Sequence, residues 1–590
     1  MLYKLSANHS SFKSIVFNKG LNIVLAEKTS KSGEKASRNA LGKTTFIEIL
    51  DFCLGADFSK SSKLNAPELA DWAFSLELEL NNYHFEVTRY INTPKRIFIH
   101  PFCKDMPFDL KQQKDQSTYI DIGEWKEFLG KNLFNINNIE TKKAFSPTGR
   151  TVLGYFLRKS GAYTDPFTTF KNQKAVQKQT NNAFVLNLLW EKSLVLHDFQ
   201  EETDKHKNLI SFFKSQGQTI GKLNSQMVIL SDEVNKLRKN IQEFNVLPEY
   251  KEIQDAANIL TKSLQSLNNQ KIFIKKKLSE YQSIIIEENS NNDLNAVSKM
   301  YKEVQISFSE NVAKTLKEVQ DFNKIIIQNR KEFLQNEIKQ LEIDIKEIDA
   351  QVEKYVNERA EKMKILSAHG ALDEYSLLQD NLSKKLAQLE EVKSDIKKQQ
   401  DAEDWIFKIK SQKDLIKHEI SQDININEYL KEEISIFNKN SMSLYDMYAN
   451  LVVDTDKYGN YKFNISREKT SEGIERMDIF CYDLMLIEMF RKNLPQGIDF
   501  LIHDSTLYDA VDSRQRAKAI ELVAKKSVDC KFQYIFTINS DQLPIMDFSE
   551  DFKYTDYVIR SLTDANVSGS LLGITFSAPN DNEEKLNTDI

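Results

Sequence analysis

Residues 37–50 read SRNALGKTTFIEIL, and the stretch sets a Gly-Lys-Thr, Gly42–Thr44, directly before an apolar segment. Phe46 and Leu50 fall at helical spacing, so we predict that a helix begins at the Gly-Lys-Thr. Backbone N–H groups at a helix N-terminus, a lysine and a hydroxyl group are what a phosphate and its Mg²⁺ require. The glycine expected five places before the glycine of this motif is Ser37, so the motif alone is weak.

The composition limits the class of protein around this stretch. The chain has 590 residues, with 17 glycines, 10 prolines and 28% charged residues, which favours long helices over loop-rich folds. The four cysteines show no metal-ligand spacing, as is typical of a reducing compartment. We find no signal peptide and no apolar run of about 18 residues. We therefore expect a cytoplasmic protein that makes no membrane contact.

The pattern of apolar residues changes twice along the chain. We predict a mixed lobe over residues 1–190, with KSIVF and GLNIVLA as strands and FSLELELNNYHFEVTRYI as a hairpin. Residues 191–430 carry apolar positions spaced by three and four, which predict an antiparallel coiled coil that reverses near residues 287–293. A second mixed lobe, residues 431–576, has YKFNISRE, IDFLIHDS, FQYIFTIN and LLGITF as predicted strands. Residues 577–590 are predicted to be a disordered acidic tail.

Two breaks interrupt the predicted coil, at Pro248 and at His369-Gly370. The segments beside them, LPEYKEIQD and LDEYSLLQD, share five residue types at the same places. We interpret them as paired elbows; chance similarity between two amphipathic helices is the alternative.

Charge is distributed unevenly. Residues 1–190 carry 26 Lys and Arg against 18 Asp and Glu, whereas residues 431–590 carry 18 against 27. The first lobe is therefore the better electrostatic host for a polyanion such as DNA. Ordinary variation among solvated surfaces is the alternative.

The second lobe contains the residue types that would complete a phosphate site. Asp504 follows the apolar residues of IDFLIHDS, where a carboxylate can hold Mg²⁺. Ser471 and Gly473 stand just ahead of a long amphipathic helix, and Asn539 follows the strand FQYIFTI. This order of parts resembles the SMC-like branch of ABC-type ATPases over essentially the whole chain. Details such as NALGKTT, GALDEY and HDSTLYDAVDSRQ resemble a narrower group, the short-armed bacterial SMC-like proteins of multi-component anti-phage or conflict systems.

The resemblance implies a fold, cofactors and site residues. The implied fold is an α/β ABC-type ATPase head assembled from the N- and C-terminal lobes, with an inserted antiparallel coiled coil. The implied cofactors are ATP and Mg²⁺. ATP would contact Asn39, Gly42, Lys43, Thr44, Thr45, Ser471, Gly473, Asp512 and Asn539; Mg²⁺ would bind Thr44 and Asp504; and catalysis would involve Lys43, His503, Asp504 and Ser505.

One departure from the family concerns hydrolysis. Ser505 stands where such heads usually carry a glutamate that activates water, and a serine is not a strong general base. We expect slow or partner-stimulated ATP hydrolysis, with His503 or Asp509 as candidate substitutes for the glutamate. Arg150 and Arg158 are candidate phosphate or DNA contacts.

The resemblance further implies a homodimer with ATP sandwiched between its heads. Expected partners are DNA, an effector protein such as a nuclease, and a third small component, in bacterial anti-phage defence. Two alternatives stay open. The first is a chromosome-maintenance or DNA-repair ATPase, and the second is a coiled-coil scaffold with a degenerate nucleotide site.

Overall fold

The structure is a computed structural model. It describes residues 1–27, 41–58, 62–101, 108, 110–112, 117–136, 144–244, 251–291, 310–367, 372–468 and 470–576. Contacts divide the chain into two compact units. The first unit contains residues 1–197, 299–318 and 415–590, and the second contains residues 198–298 and 319–414.

The bounds of the elements are as follows. The helices are α1 Lys43–Cys53, α2 Ile122–Phe134, α3 Gly149–Leu153, α4 Ala175–Val185, α5 Trp190–Ser215, α6 Ile220–Glu243, α7 Lys251–Asn291, α8 Glu310–Ser367, α9 Leu372–Ile426, α10 Glu428–Tyr445, α11 Glu472–Asn493 and α12 Ser513–Asp529. The strands are β1 Leu2–Ala7, β2 Ile15–Val16, β3 Gly20–Glu27, β4 Ala73–Leu80, β5 Tyr83–Tyr90, β6 Arg96–Pro101, β7 Lys111–Gln112, β8 Thr118–Asp121, β9 Leu157–Arg158, β10 Asn450–Thr455, β11 Tyr461–Ser466, β12 Phe500–His503, β13 Gln533–Asn539 and β14 Val558–Thr563.

A parallel sheet forms the centre of the first unit. In the described residues its strand order is β14-β3-β13-β12-β9, and every neighbouring pair is parallel. β3 and β13 are buried along nearly their whole length, as expected for parallel strands covered on both faces. Because β3 and β9 come from the N-terminal part and the other three strands from the C-terminal part, one sheet is built from both ends of the chain.

An antiparallel sheet and the two-stranded antiparallel pair β10-β11 are the other sheets of the first unit among the described residues. The strand order of the larger sheet across the described residues is β2-β1-β4-β5-β6-β8-β7. The predicted hairpin is confirmed: β4 and β5 pair in register, and Asn81 and Asn82 turn the chain with φ of 49° and 68°. Asparagine accepts this left-handed conformation more readily than most residues, which explains why Asn-Asn occurs at the turn.

The second unit consists of long helices that pair antiparallel. Lys271 and Lys277 of α7 form ion pairs with Asp349 and Glu337 of α8, so residue numbers rise on one helix as they fall on the other. α6 and α9 pair in the same sense: Glu233 meets Lys385, and the Gln399 amide donates to the Gln218 carbonyl just before α6. α7 continues to Asn291, and the end of the predicted reversal, residues 292–293, lies outside the described residues.

The predicted elbows bring a small core together within the second unit. Ala257, Met363, Leu366 and Tyr375 form a buried cluster. The Tyr375 hydroxyl donates a hydrogen bond to the Asn258 side chain. Pro248 and His369-Gly370, the predicted breaks themselves, lie outside the described residues, as does the predicted tail 577–590.

The prediction that LLGITF forms a strand is wrong. Residues 571–576 join none of the three sheets of the described residues, although the Leu571 N–H donates to the Leu41 carbonyl at 3.1 Å. Gly573 has a φ of +64°, a left-handed conformation that interrupts extended backbone. Leu571 packs beside Gly42 instead of extending a sheet.

Glu433 of α10 provides a test of the packing in the first unit. Its side chain is fully buried, and neither carboxylate oxygen has a hydrogen-bond partner among the described residues. Burial, and to a smaller extent Glu432, raises the pKa of Glu433 well above its usual value. The unfolded chain therefore loses this proton at lower pH than the folded chain, so stability falls as the pH rises above about 4.3.

We expect Glu433→Gln to raise the melting temperature at pH 7 by at least about 3 °C, because the neutral amide has no charge to bury. At pH 4 the gain should disappear, since Glu433 is then protonated in both states. Thermal unfolding at the two pH values measures the difference. Glu428→Gln, which alters an exposed residue of α10 paired with Lys431, is the control. An equal gain at both pH values would rule out protonation as the cause.

Candidate functional site

The Gly-Lys-Thr lies at the carboxyl edge of the parallel sheet, where β3 leads towards α1. The predicted helix is confirmed: α1 begins at Lys43, and Gly42 caps it with φ 93° and ψ 13°. A Cβ atom at position 42 would lie 2.8 Å from the Leu571 Cβ. Gly42 is therefore required both for its left-handed backbone and for the close approach of the C-terminal segment.

Lys43 points along this edge towards the neighbouring strand. Its side chain is buried, and its ammonium group donates a hydrogen bond to the Asn539 Oδ1 at the end of β13. The Asn539 amide in turn donates to the Gln542 Oε1 at 3.1 Å. The structure thus joins two predicted site residues that stand 496 positions apart.

Asp504 follows β12, the next strand of the same sheet. Its side chain is 2% exposed, and its Oδ1 accepts hydrogen bonds from the Ser505 hydroxyl at 3.1 Å and the Thr537 hydroxyl at 3.3 Å. The Asp504 N–H donates to the Tyr163 hydroxyl at 2.8 Å. No described residue donates a hydrogen bond to Oδ2, so one carboxylate oxygen is left for a cation.

The residues here suit a Mg²⁺ ion that is held together with a nucleotide. The described residues contain no group of three or more His, Cys, Asp or Glu side chains that could bind a metal by themselves. Mg²⁺ commonly takes one or two protein oxygens and completes its shell with phosphate and water. The Asp504 carboxylate and the Thr44 hydroxyl, in the first turn of α1, are donors of this chemistry.

His503 is placed differently from Asp504. The side chain is fully buried, with Nδ1 2.9 Å from the Tyr534 hydroxyl and Nε2 3.0 Å from the Asp483 carboxylate. Burial lowers the pKa of His503, although the hydrogen bond to Asp483 opposes this. Both ring nitrogens are therefore engaged inside the fold.

Arg158 does not fit the prediction that it contacts phosphate or DNA. Its guanidinium is fully buried and forms a bidentate pair with Asp483, at 2.5 and 2.7 Å. The remaining donors bind three backbone carbonyls, those of Ala162, Pro166 and Thr168. Because every described contact lies within the first unit, Arg158 holds the edge strand β9 against α11.

An ion cluster lies on α1 behind the lysine. Asp51 is buried and pairs with Arg150 at 2.5 Å and with Lys159 at 2.6 Å. Burial alone would raise the pKa of Asp51, but the two cations lower it to about 2. The sequence predicts Arg150 as a phosphate or DNA contact and gives no prediction for Asp51 or Lys159. The sequence signal for Asp51 was its position in the helix that follows the Gly-Lys-Thr, about two turns after Lys43.

Ser471 and Gly473, which were predicted to contact ATP, lie at the start of α11. Ser471 caps this helix, and its hydroxyl accepts from the Ile474 N–H at 3.4 Å. A Cβ atom at Gly473 would lie 2.3 Å from the Ala510 carbonyl oxygen, so only glycine fits against this turn. Asp512 caps α12 two residues beyond Ala510 and accepts from the Arg514 N–H at 3.0 Å. The structure therefore brings the start of α11 together with the turn that precedes α12.

Two further residues were predicted to contact ATP. Thr45 follows Thr44 in the first turn of α1, and Asn39 lies outside the described residues. No helix of the described residues is long and apolar enough to span a membrane.

The chain is an α/β protein in which a helix that begins at a Gly-Lys-Thr lies at the edge of a parallel sheet. The chain also contains long paired helices. Residues 440–576 match the family model described as "Uncharacterised protein conserved in bacteria (DUF2326)". The chain is 22% identical over 562 residues to "Uncharacterized protein YydD" of Bacillus subtilis (strain 168), covering 90% of this chain and 91% of that protein. It is also similar to a solved Smc head domain with a coiled coil and joint derived from Pyrococcus yayanosii. That likeness has 12% identity and a TM-score of 0.33, over 93% of this chain and 94% of that one.

Proposed function

We propose that this protein is an SMC-like, ABC-type ATP-binding subunit whose heads dimerise around ATP. The observation that carries the proposal is the convergence of two distant halves of the chain at one edge of the parallel sheet. Lys43 begins α1 at this edge, beside Asn539 at the end of β13. Asp504 directly follows β12, which is the neighbour of β13 in the sheet. A helix N-terminus, a lysine and a carboxylate in this arrangement are the parts of a Mg²⁺-nucleotide site.

Hydrolysis in this proposal is slow or stimulated by a partner. Ser505 occupies the position after Asp504, and its hydroxyl already donates to the Asp504 Oδ1. A neutral serine hydroxyl is a poor acceptor of the proton from an attacking water. ATP would then act mainly by holding two heads together, and its removal would limit the rate of opening.

The start of α11 would face the nucleotide of the second subunit. The Ser471 and Glu472 side chains are exposed, and the Asp512 side chain is 53% exposed. Exposure is required of residues that meet another subunit, whereas Lys43 and Asp504 are buried in their own head. Each site would combine Lys43 and Asp504 of one protomer with Ser471 of its partner.

DNA and an effector are the further partners of the proposal. The positive balance of residues 1–190 supports a DNA surface on that lobe. The paired helices would transmit closure of the heads to an effector such as a nuclease, with a third small component, in anti-phage defence. Finding a nuclease gene next to the gene of this protein would favour this role over chromosome maintenance or repair. Co-purification of the native complex with its nucleic acid would identify the partners.

Titration of the purified protein with ATP, with and without Mg²⁺, tests the nucleotide site. We expect binding at micromolar to millimolar ATP that strengthens with Mg²⁺, because Asp504 and Thr44 then share the ion with the phosphates. The lack of a glutamate at Ser505 favours a scaffold with a degenerate site as the second candidate. Absence of binding at millimolar ATP would leave only that scaffold.

A further inference from the structure

Tyr163 connects Asp504 to the backbone of the edge strand β9. The residue is 4% exposed and follows β9 in the chain. Its hydroxyl accepts from the Asp504 N–H at 2.8 Å and donates to the Arg158 carbonyl at 3.2 Å. One phenol therefore satisfies a buried N–H and a buried carbonyl at once.

The backbone of Tyr163 is also bound by α11, the helix that Ser471 caps. The Arg476 guanidinium, in the second turn of α11, donates to the Tyr163 carbonyl at 2.5 Å. A second nitrogen of Arg476 lies 3.7 Å from the Glu472 carboxylate, in the first turn. The first two turns of α11 are thus linked to Asp504 through a single residue, Tyr163.

Two other contacts make this link stiff. Asp483, farther along α11, holds Arg158 through the bidentate pair, and Arg158 is the residue whose carbonyl Tyr163 binds. Gly473 packs directly on the Ala510 carbonyl. A shift of the start of α11 must therefore displace Tyr163 or the turn after Asp504, since close-packed interiors transmit displacement.

We propose that Tyr163 is a positioning residue that fixes the Asp504 backbone for Mg²⁺ and couples it to the start of α11. The inference rests on the proposed function, in which Ser471 of α11 engages the nucleotide of the partner. Engagement of that nucleotide then favours the Asp504 geometry that holds the metal in the protomer's own site. The two ATP sites of a dimer are linked through each chain's Arg476 and Tyr163.

Tyr163→Phe keeps the ring and removes both hydrogen bonds. We expect the Asp504 amide to exchange its hydrogen at least about tenfold faster, because it loses its acceptor. The Mg²⁺ concentration for half-maximal strengthening of ATP binding should rise about tenfold. ATP binding without Mg²⁺ should stay unchanged, which a general loss of structure would not leave intact.

Tyr155→Phe is the matched control. Tyr155 is equally buried, and its hydroxyl lies 3.5 Å from the Phe167 carbonyl, away from Asp504. We expect it to leave both the exchange of the Asp504 amide and the Mg²⁺ dependence as in the wild type. If Tyr155→Phe shifts both as much as Tyr163→Phe does, general packing is the cause and the positioning role is wrong.

Arg476→Gln tests the coupling to α11. We expect it to shift the Mg²⁺ dependence in the same direction as Tyr163→Phe, and the double variant to show less than the product of the two fold-changes. Fully multiplicative effects would overturn the coupling. A wild type that binds no ATP would refute the proposed function itself. Wild-type ATP binding with an unchanged Mg²⁺ dependence in Tyr163→Phe would refute only the role of Tyr163.

Discussion

Lys43→Ala is expected to weaken ATP binding about 100-fold, because the substitution removes the ammonium group that would meet the β- and γ-phosphates. The effect should be large since Lys43 is 7% exposed and held at the helix start, so its charge-assisted bonds are not replaced by water. Calorimetric titration with a non-hydrolysable ATP analogue measures the change in affinity. ATP-dependent dimerisation should disappear with it at the same nucleotide concentration.

A lysine on the surface of the same unit controls for loss of charge. Lys518 of α12 is 45% exposed and 3.7 Å from Asp446, and Lys518→Ala should bind the analogue as the wild type does. Without nucleotide, Lys43→Ala should melt within a few degrees of the wild type, because the hydrogen bond to Asn539 that it loses has a net worth of about 1–3 kcal/mol. A Lys43→Ala protein that binds ATP and dimerises normally would refute the proposed site.

Arg158→Met should destabilise the first unit by about 3–5 kcal/mol, since it leaves the buried Asp483 without its partner. Three backbone carbonyls also lose their donor, and His503 is left as the neighbour of an uncompensated carboxylate. Thermal unfolding and limited proteolysis of the full chain measure the loss. Arg514→Met, at a side chain 75% exposed, should change stability by less than about 0.5 kcal/mol.

A second variant separates the buried charge from the lost packing. Adding Asp483→Leu to Arg158→Met removes the unpaired carboxylate, so part of the lost stability should return. If the double variant is as unstable as Arg158→Met, the carbonyl bonds and packing of Arg158 matter more than the ion pair. If Arg158→Met is as stable as the wild type, the structural role assigned to Arg158 is wrong.

Local patterns of the sequence predicted elements of both large sheets, including those at the candidate site. The helix at Lys43, the turn at Asn81-Asn82 and the strand before Asp504 each depend on a few neighbouring residues. Apolar spacing, turn chemistry and strand-end position are short-range signals, and these elements lie where they were expected. The roles of the site residues themselves stay predictions until nucleotide binding is measured.

Long-range partners could not be predicted from such patterns. Arg158 was expected to contact a ligand because it is cationic, but its partner Asp483 stands 325 positions away and turns it into a buried ion pair. Tyr163 was not singled out, since no spacing rule connects it with Asp504. LLGITF has the alternation of a strand, yet Leu571 packs beside Gly42. In each case the deciding contact joins the two ends of the chain.

The joining of distant segments at one sheet edge has a consequence for synthesis in the cell. Because β3 lies between β13 and β14, the ribosome must make the long helices and then reach residue 563 before β3 has both neighbours. A product that stops in those helices carries the Gly-Lys-Thr but lacks Asn539 and Asp504. Under the proposed function, ATP binding would distinguish a chain translated through both halves from a truncated one, and a nascent chain would not engage nucleotide early.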